Sequence, residues 1–296
     1  MKFFKSLQVL VGDITCSLNM TYHNKLLTTV YFCHIAGLAG LIYYWDPMFL
    51  LWTLLGKFLF HFIGTEVALH RLFAHKTFKT AKWKERTLAW LSMYGLYGST
   101  LGWCANHRVH HKNSDKENDP HPSLDVFNTW FWVDTEKVAT VSPTVIKDLL
   151  RDPIHRFMRD HYFKIYYLTL VVFALLVSPK FVVYFFILPG AVAQLSGGIV
   201  NVVCHRWGYR THETDDLSRN NFWANMYGFF SGVGLHNNHH KFPWKYTTLP
   251  DNPKWHEIDL GAWFIRVFLL DRTDPARTTQ QDTTEQFLKD TGVTAK

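Results

Sequence analysis

The chain has 296 residues, 48% of them hydrophobic and 17% aromatic, with a net charge of +7 and a pI of about 9.1. One domain of this length can bury a large core, and the basic balance suits an anionic membrane leaflet better than nucleic acid, because the basic residues flank apolar runs and form no continuous stripe. Cys16, Cys33, Cys104 and Cys204 are scattered without Cys-x-x-Cys spacing, which suggests neither a zinc knuckle nor a disulfide framework.

Mean hydropathy is −0.07, an average that hides long apolar runs set in a polar remainder. The first run, 26–44, begins too late for a secretory signal and has no small-residue cleavage site. Trp45-Asp46-Pro47 makes a turn, and 48–69 is a second run. A helix needs about 20 residues to span the hydrocarbon core, so the two runs and their short turn predict a helical hairpin. A second hairpin follows at 163–177 and 181–203, joined by Ser178-Pro179-Lys180, with Pro189-Gly190 expected to kink its second helix. Between the hairpins, 86–103 reads as one interfacial helix, since a fifth span would send the following histidines to the opposite side. Lys2, Lys5 and Lys25 flank the first span, and Arg71, Lys76, Lys79, Lys82, Lys84 and Arg86 follow the second, while the connecting turns carry only Lys180. By the positive-inside rule both termini lie in the cytoplasm. The polar residues 273–296 read as a loosely held tail after a single domain over 1–272.

Of 17 histidines, eight fall in three clusters: His70 and His75, then His107, His110 and His111, then His236, His239 and His240. Positions i, i+3 and i+4 of a helix share a face, so each triplet is expected to aim its imidazoles at one point. His70 and His75 are about 140° apart on an α-helix at roughly 100° per residue; they either serve two metals or straddle a helix end. Imidazole suits zinc, copper, iron and nickel. One tetrahedral zinc uses four ligands and a catalytic one usually three, so eight imidazoles point to two ions, with iron the best fit. Asn201 and His205 share a face at the inner end of the fourth run; spacing alone leaves them as ligands or as helix-end polar residues. Glu66 lies four residues before His70, as a carboxylate partner for that ring or an ion pair with a nearby basic residue. Lys57 and His61 sit one turn apart inside the second span, where charge is expensive and often functional.

These boxes resemble those of the integral membrane acyl-lipid and acyl-CoA desaturases of stearoyl-CoA type, over about residues 60–272 with weak similarity near 130–160. The matching runs are His-Arg-Leu-Phe-Ala-His from His70, His-Arg-Val-His-His from His107 with Asn118-Asp119-Pro120-His121, Asn201-Val-Val-Cys-His205-Arg-Trp-Gly-Tyr, and His236-Asn-Asn-His-His-Lys-Phe-Pro243. The resemblance implies an all-α membrane protein: four transmembrane helices in two hairpins, with a helical cytoplasmic cap holding a histidine-rich di-iron site. It implies two Fe2+ ions held by His70, His75, His107, His110, His111, His205, His236, His239 and His240, with Asn201 acting through a water. No catalytic side chain beyond these is implied. Gly232-Val233-Gly234 departs from the family's Gly-Glu-Gly, and Ala105-Asn106 stands where acyl-CoA members of animal type carry Arg-Asp. That second departure sets a CoA-linked substrate in doubt and leaves acyl-lipid or acyl-carrier-protein substrates.

The implied reaction is oxygen-dependent insertion of a cis double bond, of delta-9 type, into a saturated acyl chain in fatty acid biosynthesis. The metal centre does the oxidation, while the protein supplies ligands, orientation and exclusion of water. No His-Pro-Gly-Gly haem motif or iron–sulfur cysteine set is present, so electrons are expected from a separate ferredoxin or small cytochrome docking on the basic face. A membrane di-iron hydroxylase is the nearest rival, distinguished by oxygen retained in the product. A zinc-dependent membrane hydrolase or receptor is a more distant one, distinguished by metal analysis.

Overall fold

The computed structural model describes residues 20–121, 125–131 and 142–271; Lys2, Lys5, Cys16 and the polar tail lie outside them. The first long helix, α1, spans Met20–Tyr43, and α2 runs without interruption over Pro47–Ala74. Asp46 starts α2 by accepting from the Met48 amide at 3.0 Å, and Pro47 suits a first turn because its missing N–H has no partner there anyway. From Phe58 to Ala74 the winding is of π type, with i→i+5 hydrogen bonds. The apolar run ends at Leu69, but the helix continues because Glu66, His70 and Arg71 find partners inside the protein.

The stretch expected as one helix over 86–103 is instead two, α3 (Lys82–Ser92) and α4 (Thr100–Asn113). Left-handed backbone at Leu96 (φ 62°) and Gly98 (φ 80°) breaks the chain, and Ser99 restarts it by accepting from the Gly102 amide at 3.3 Å. Short helices α5 (Val126–Phe131) and α6 (Lys147–Arg151) precede α7 (Pro153–Leu176), whose first half is charged and whose second half is apolar. Ser178 then caps α8, Pro179–Arg206, through the Phe181 amide at 3.1 Å.

Pro189 does not interrupt α8. A π-wound turn, Val183–Ile187, directly precedes it and absorbs the missing donor and the ring's bulk. Helices α9 (Phe222–Tyr227), α10 (His236–Lys241) and α11 (Leu260–Leu269) complete the described chain, and its extended pairings are isolated bridges of Asn220 with Tyr209 and Leu235.

Three helices, α1, α2 and α8, are long and apolar enough to cross a membrane. The outer faces of α1 and α2 expose large apolar side chains, Ile35, Ile42 and Leu54 among them, as does the last turn of α7 with Leu175 and Leu176, each about four-fifths exposed. Such continuous apolar surface is stable facing lipid and not water. Between the helices, buried tyrosine hydroxyls are paired: that of Tyr162 donates to the Met93 carbonyl at 2.8 Å, and that of Tyr97 to Ala193 at 2.6 Å. Helices α2 and α8 approach closely at Gly56, where a Cβ would lie 2.4 Å from the Phe185 carbonyl oxygen. The two turns meet at one end of the bundle, with Lys180 Nζ 2.6 Å from Asp46 Oδ2. The histidines lie toward the other ends of α2 and α8.

Candidate metal centre

The nine predicted histidines converge into two groups, and within each group the nearest ring nitrogens all lie within 4.8 Å of one another. One holds His70, His75, His107, His111 and His239; the other holds His110, His205, His236 and His240. The groups abut, with the rings of His111 and His240 at 4.5 Å between centroids.

This partition corrects one expectation and, for His70 and His75, decides between two alternatives in favour of a pair that straddles a helix end, His75 lying just past the last residue of α2. Neither triplet serves a single point: positions i and i+4 go to one group and i+3 to the other. His107 and His111 face the five-histidine group while His110 turns to the four; His236 and His240 face the four while His239 turns to the five. The 100° step of a helix puts i+3 and i+4 on opposite sides of i, so each triplet spans both groups. His70 and His75 belong together, because α2 is π-wound there and ends in a bond from the His75 amide to the His70 carbonyl at 3.1 Å. That i→i+5 geometry brings residues five apart around to one side, where an α-helix would separate them. Asn201 lies half-buried on the π-wound stretch Ile199–Val203, one turn before His205.

Ring orientation is fixed from behind. His110 Nδ1 bonds Asp119 at 2.8 Å, His205 Nδ1 bonds Asp115 at 2.8 Å and His240 Nδ1 bonds Asp216 at 2.7 Å. Each carboxylate thereby presents Nε2 inward. In the five-histidine group Glu66 lies 3.5 Å from His70 Nδ1 and 3.3 Å from His61 Nε2, so among the described residues it pairs with two imidazoles and with no lysine or arginine. Trp103 stacks on His107, ring centroids 4.6 Å apart. Lys57 points into the protein, donating to the Tyr227 carbonyl at 2.6 Å beneath the rings of Tyr227 and Phe229. Of the four cysteines, Cys33, Cys104 and Cys204 are buried free thiols.

The backbone around His75 is held by Arg108, which neighbours His107. Its guanidinium donates to the carbonyls of Phe73, Ala74 and Val145 and to both oxygens of Asp148, at 2.7–3.0 Å. Two of those carbonyls lie in the last turn of α2, where no intrahelical donor exists. Burial raises the Asp148 carboxyl, but Arg108 and Lys76 outweigh it and hold it at about 2. Arg71 likewise pins the end of α2 to Ser231 and Asp259.

Electrostatics favours metal-ready rings. Burial, reinforced by neighbouring imidazoles, holds His75, His107, His111, His236 and His239 well below the ordinary histidine range. Burial takes His240 down to about 4 despite Asp216. Neutral imidazole is the ligating form. His110 differs: burial lowers it, but the Asp119 carboxylate outweighs that, with Asp115 and Asp216 adding to it.

A metal fits these residues on a direct observation. The Nε2 atoms of His110 and His240 are buried with no hydrogen-bond partner, a costly arrangement that a cation would resolve. Sequence reasoning missed Asp115, Asp216 and Arg108, and gave Asp119 no role beyond its motif. Asp115 backs His205, 90 residues away, so its nearness to His111 is no signal of that role. Asp216 carries no local signal, being 24 residues from the ring it holds.

Comparison with known proteins agrees with this geometry. Residues 45–260 match the family profile described as Fatty acid desaturase. The chain is 32% identical over 235 residues to Delta-9 acyl-lipid desaturase 2 of Arabidopsis thaliana, covering 75% of this chain and 74% of that one. It is 32% identical over 244 residues to sn-2 palmitoyl-lipid 9-desaturase of Nostoc sp. (strain 36), covering 75% and 80%. It is 31% identical over 224 residues to Acyl-CoA C20 Delta5-desaturase of Anemone leveillei, covering 73% and 68%. The chain therefore belongs to the fatty acid desaturase family: it is an integral membrane oxidoreductase with a metal centre that desaturates a fatty-acyl substrate with dioxygen.

Proposed function

We propose that the metals are two Fe2+ ions, one at each histidine group, and that the enzyme places a cis double bond at the delta-9 position of a saturated, lipid-linked acyl chain in fatty acid biosynthesis. The carrying observation is the pair of abutting imidazole groups, nine rings with two buried Nε2 atoms unpartnered. Bound iron would supply the power to reduce dioxygen and remove hydrogen from an unactivated methylene. The residues supply the rest. Asp115, Asp119 and Asp216 fix ring tautomers, burial keeps most of the imidazoles neutral, and Asn201, one turn before His205, would hold a water for the metal centre. The delta-9 position and the lipid carrier are supported by the names of the Arabidopsis and Nostoc relatives and by Ala105-Asn106, which lacks the Arg-Asp pair of animal-type acyl-CoA members.

The topology that goes with this reading has the apolar half of α7 as a fourth span pairing with α8. One domain over 1–272 then keeps both termini and the histidines on the cytoplasmic side, where the basic residues cluster. A ferredoxin or small cytochrome with an acidic face delivers electrons there. The test is expression in a host of defined lipid composition, followed by double-bond analysis of its fatty acids and iron analysis of the purified protein. Wild type should yield a new cis-9 alkene and about two iron per chain, as one ion per histidine group requires. His110→Ala and His239→Ala, one in each group, should each lose alkene and iron. Full iron and alkene in both variants would end the assignment.

A further inference from the structure

The two groups differ in what stands behind their rings. In the four-histidine group three rings bond a carboxylate through Nδ1, and each carboxylate is itself clamped. Asp119, fully buried, also accepts from the amides of His121 and Asp115, both at 2.8 Å. Asp115 accepts from the Leu217 amide at 2.8 Å, and it adopts a left-handed backbone (φ 60°) that few residues tolerate. The other oxygen of Asp216 accepts from the Ser218 amide and the Thr214 hydroxyl, both at 2.9 Å. In the five-histidine group the corresponding contact is Glu66, 3.5 Å from His70 and divided with His61; His107, His111 and His239 bond no carboxylate among the described residues.

A carboxylate on the far nitrogen makes an imidazole a stronger donor, and losing such a partner typically costs about 10–100-fold in metal affinity. The same three carboxylates bring negative charge close to one ion, whereas the fifth imidazole of the other group is neutral and brings none. We propose that Asp115, Asp119 and Asp216 make the four-histidine position the tighter of the two, so that a divalent metal fills it first and leaves it last. This rests on the reading of the two groups as metal sites. The three aspartates act as positioning residues, through the rings they hold.

The experiment uses the full chain in detergent, stripped of metal and titrated with Fe2+ alone under anaerobic conditions. Two binding steps are expected, separated by at least about tenfold. When 57Fe is supplied as the first equivalent and natural-abundance iron as the second, Mössbauer spectra should show one quadrupole doublet. Asp216→Asn should weaken the first step by about 10–100-fold and spare the second, while Glu66→Gln should do the reverse. Should Asp216→Asn misfold, Asp115→Asn tests the same position, and the wild-type isotope experiment needs no variant. Two equal steps with two equal doublets overturn the proposal, as does a first step weakened by Glu66→Gln and untouched by Asp216→Asn. Those outcomes leave the metal reading standing if His110→Ala and His239→Ala each lose one equivalent; two equivalents retained by both variants would instead sink that reading.

Discussion

Arg108 joins fold to site, and its replacement tests that coupling. Its guanidinium uses all five of its donors, on three backbone carbonyls and both oxygens of Asp148, with 3% of the residue exposed. Breaking a buried ion pair costs about 3–5 kcal/mol, because the remaining charge is left without its partner. Lys76, 2.9 Å from Asp148, stays as a second cation and softens that part of the loss. The carbonyls of Phe73, Ala74 and Val145 gain no replacement donor, which keeps the total within that range. At roughly 2–4 °C per kcal/mol for a domain of this size, Arg108→Ala should unfold about 6–20 °C below wild type. Arg108→Lys keeps the charge but not the planar fork, and should lose about half as much. Since two of the carbonyls precede His75 directly, the five-histidine group should also bind metal more weakly. Thermal unfolding in detergent, followed by the fluorescence of the chain's 12 tryptophans, reads the first effect, and metal analysis after mild chelation reads the second. An Arg108→Lys protein that melts within about 1 °C of wild type and keeps its full metal content would refute the coupling.

Gly56→Val should separate α2 from α8, since its first added atom would meet the Phe185 carbonyl oxygen at 2.4 Å and Pro189 Cγ at 2.6 Å. The expected loss is about 1–3 kcal/mol of overpacking, read as a lower melting temperature; an unchanged one would show that the helices are not in contact there. The metal-stripped chain should lose stability as pH falls from about 6.5 toward 4. His240 is held near 4 in the folded chain against about 6.5 unfolded, so the unfolded chain takes up its proton first. Its side chain is 1% exposed, and at about 1.4 kcal/mol per pH unit it contributes roughly 2 kcal/mol between pH 6.5 and 5. Equal denaturant midpoints at pH 7.5 and pH 5 would contradict this.

The sequence displays whatever a local pattern can encode. Apolar runs placed α1, α2 and α8, and the spacing of His107, His110 and His111 marked them as ligand-like without any tertiary information. What misled the pattern was the winding. An α-helical wheel separates His70 from His75, but the chain between them turns with i→i+5 bonds, so a ring expected on the far side arrives at the same group. The triplets were misjudged for a related reason: i+3 and i+4 lie on either side of i, a difference too small to matter for a core stripe yet large enough to choose between two ions a few ångströms apart. The apolar run stops at Leu69 but α2 continues to Ala74, because a helix stops when its backbone and side chains lose partners, and Arg71 finds one in Asp259, 188 residues later. Asp115 and Asp216 meet the same limit. They reach His205 and His240 from loops 90 and 24 residues away, and only a folded chain can show that they lock those rings. Donor atoms can therefore be read from sequence, whereas the groups that aim and tune them cannot, which is why the inequality of the two positions emerges only in three dimensions.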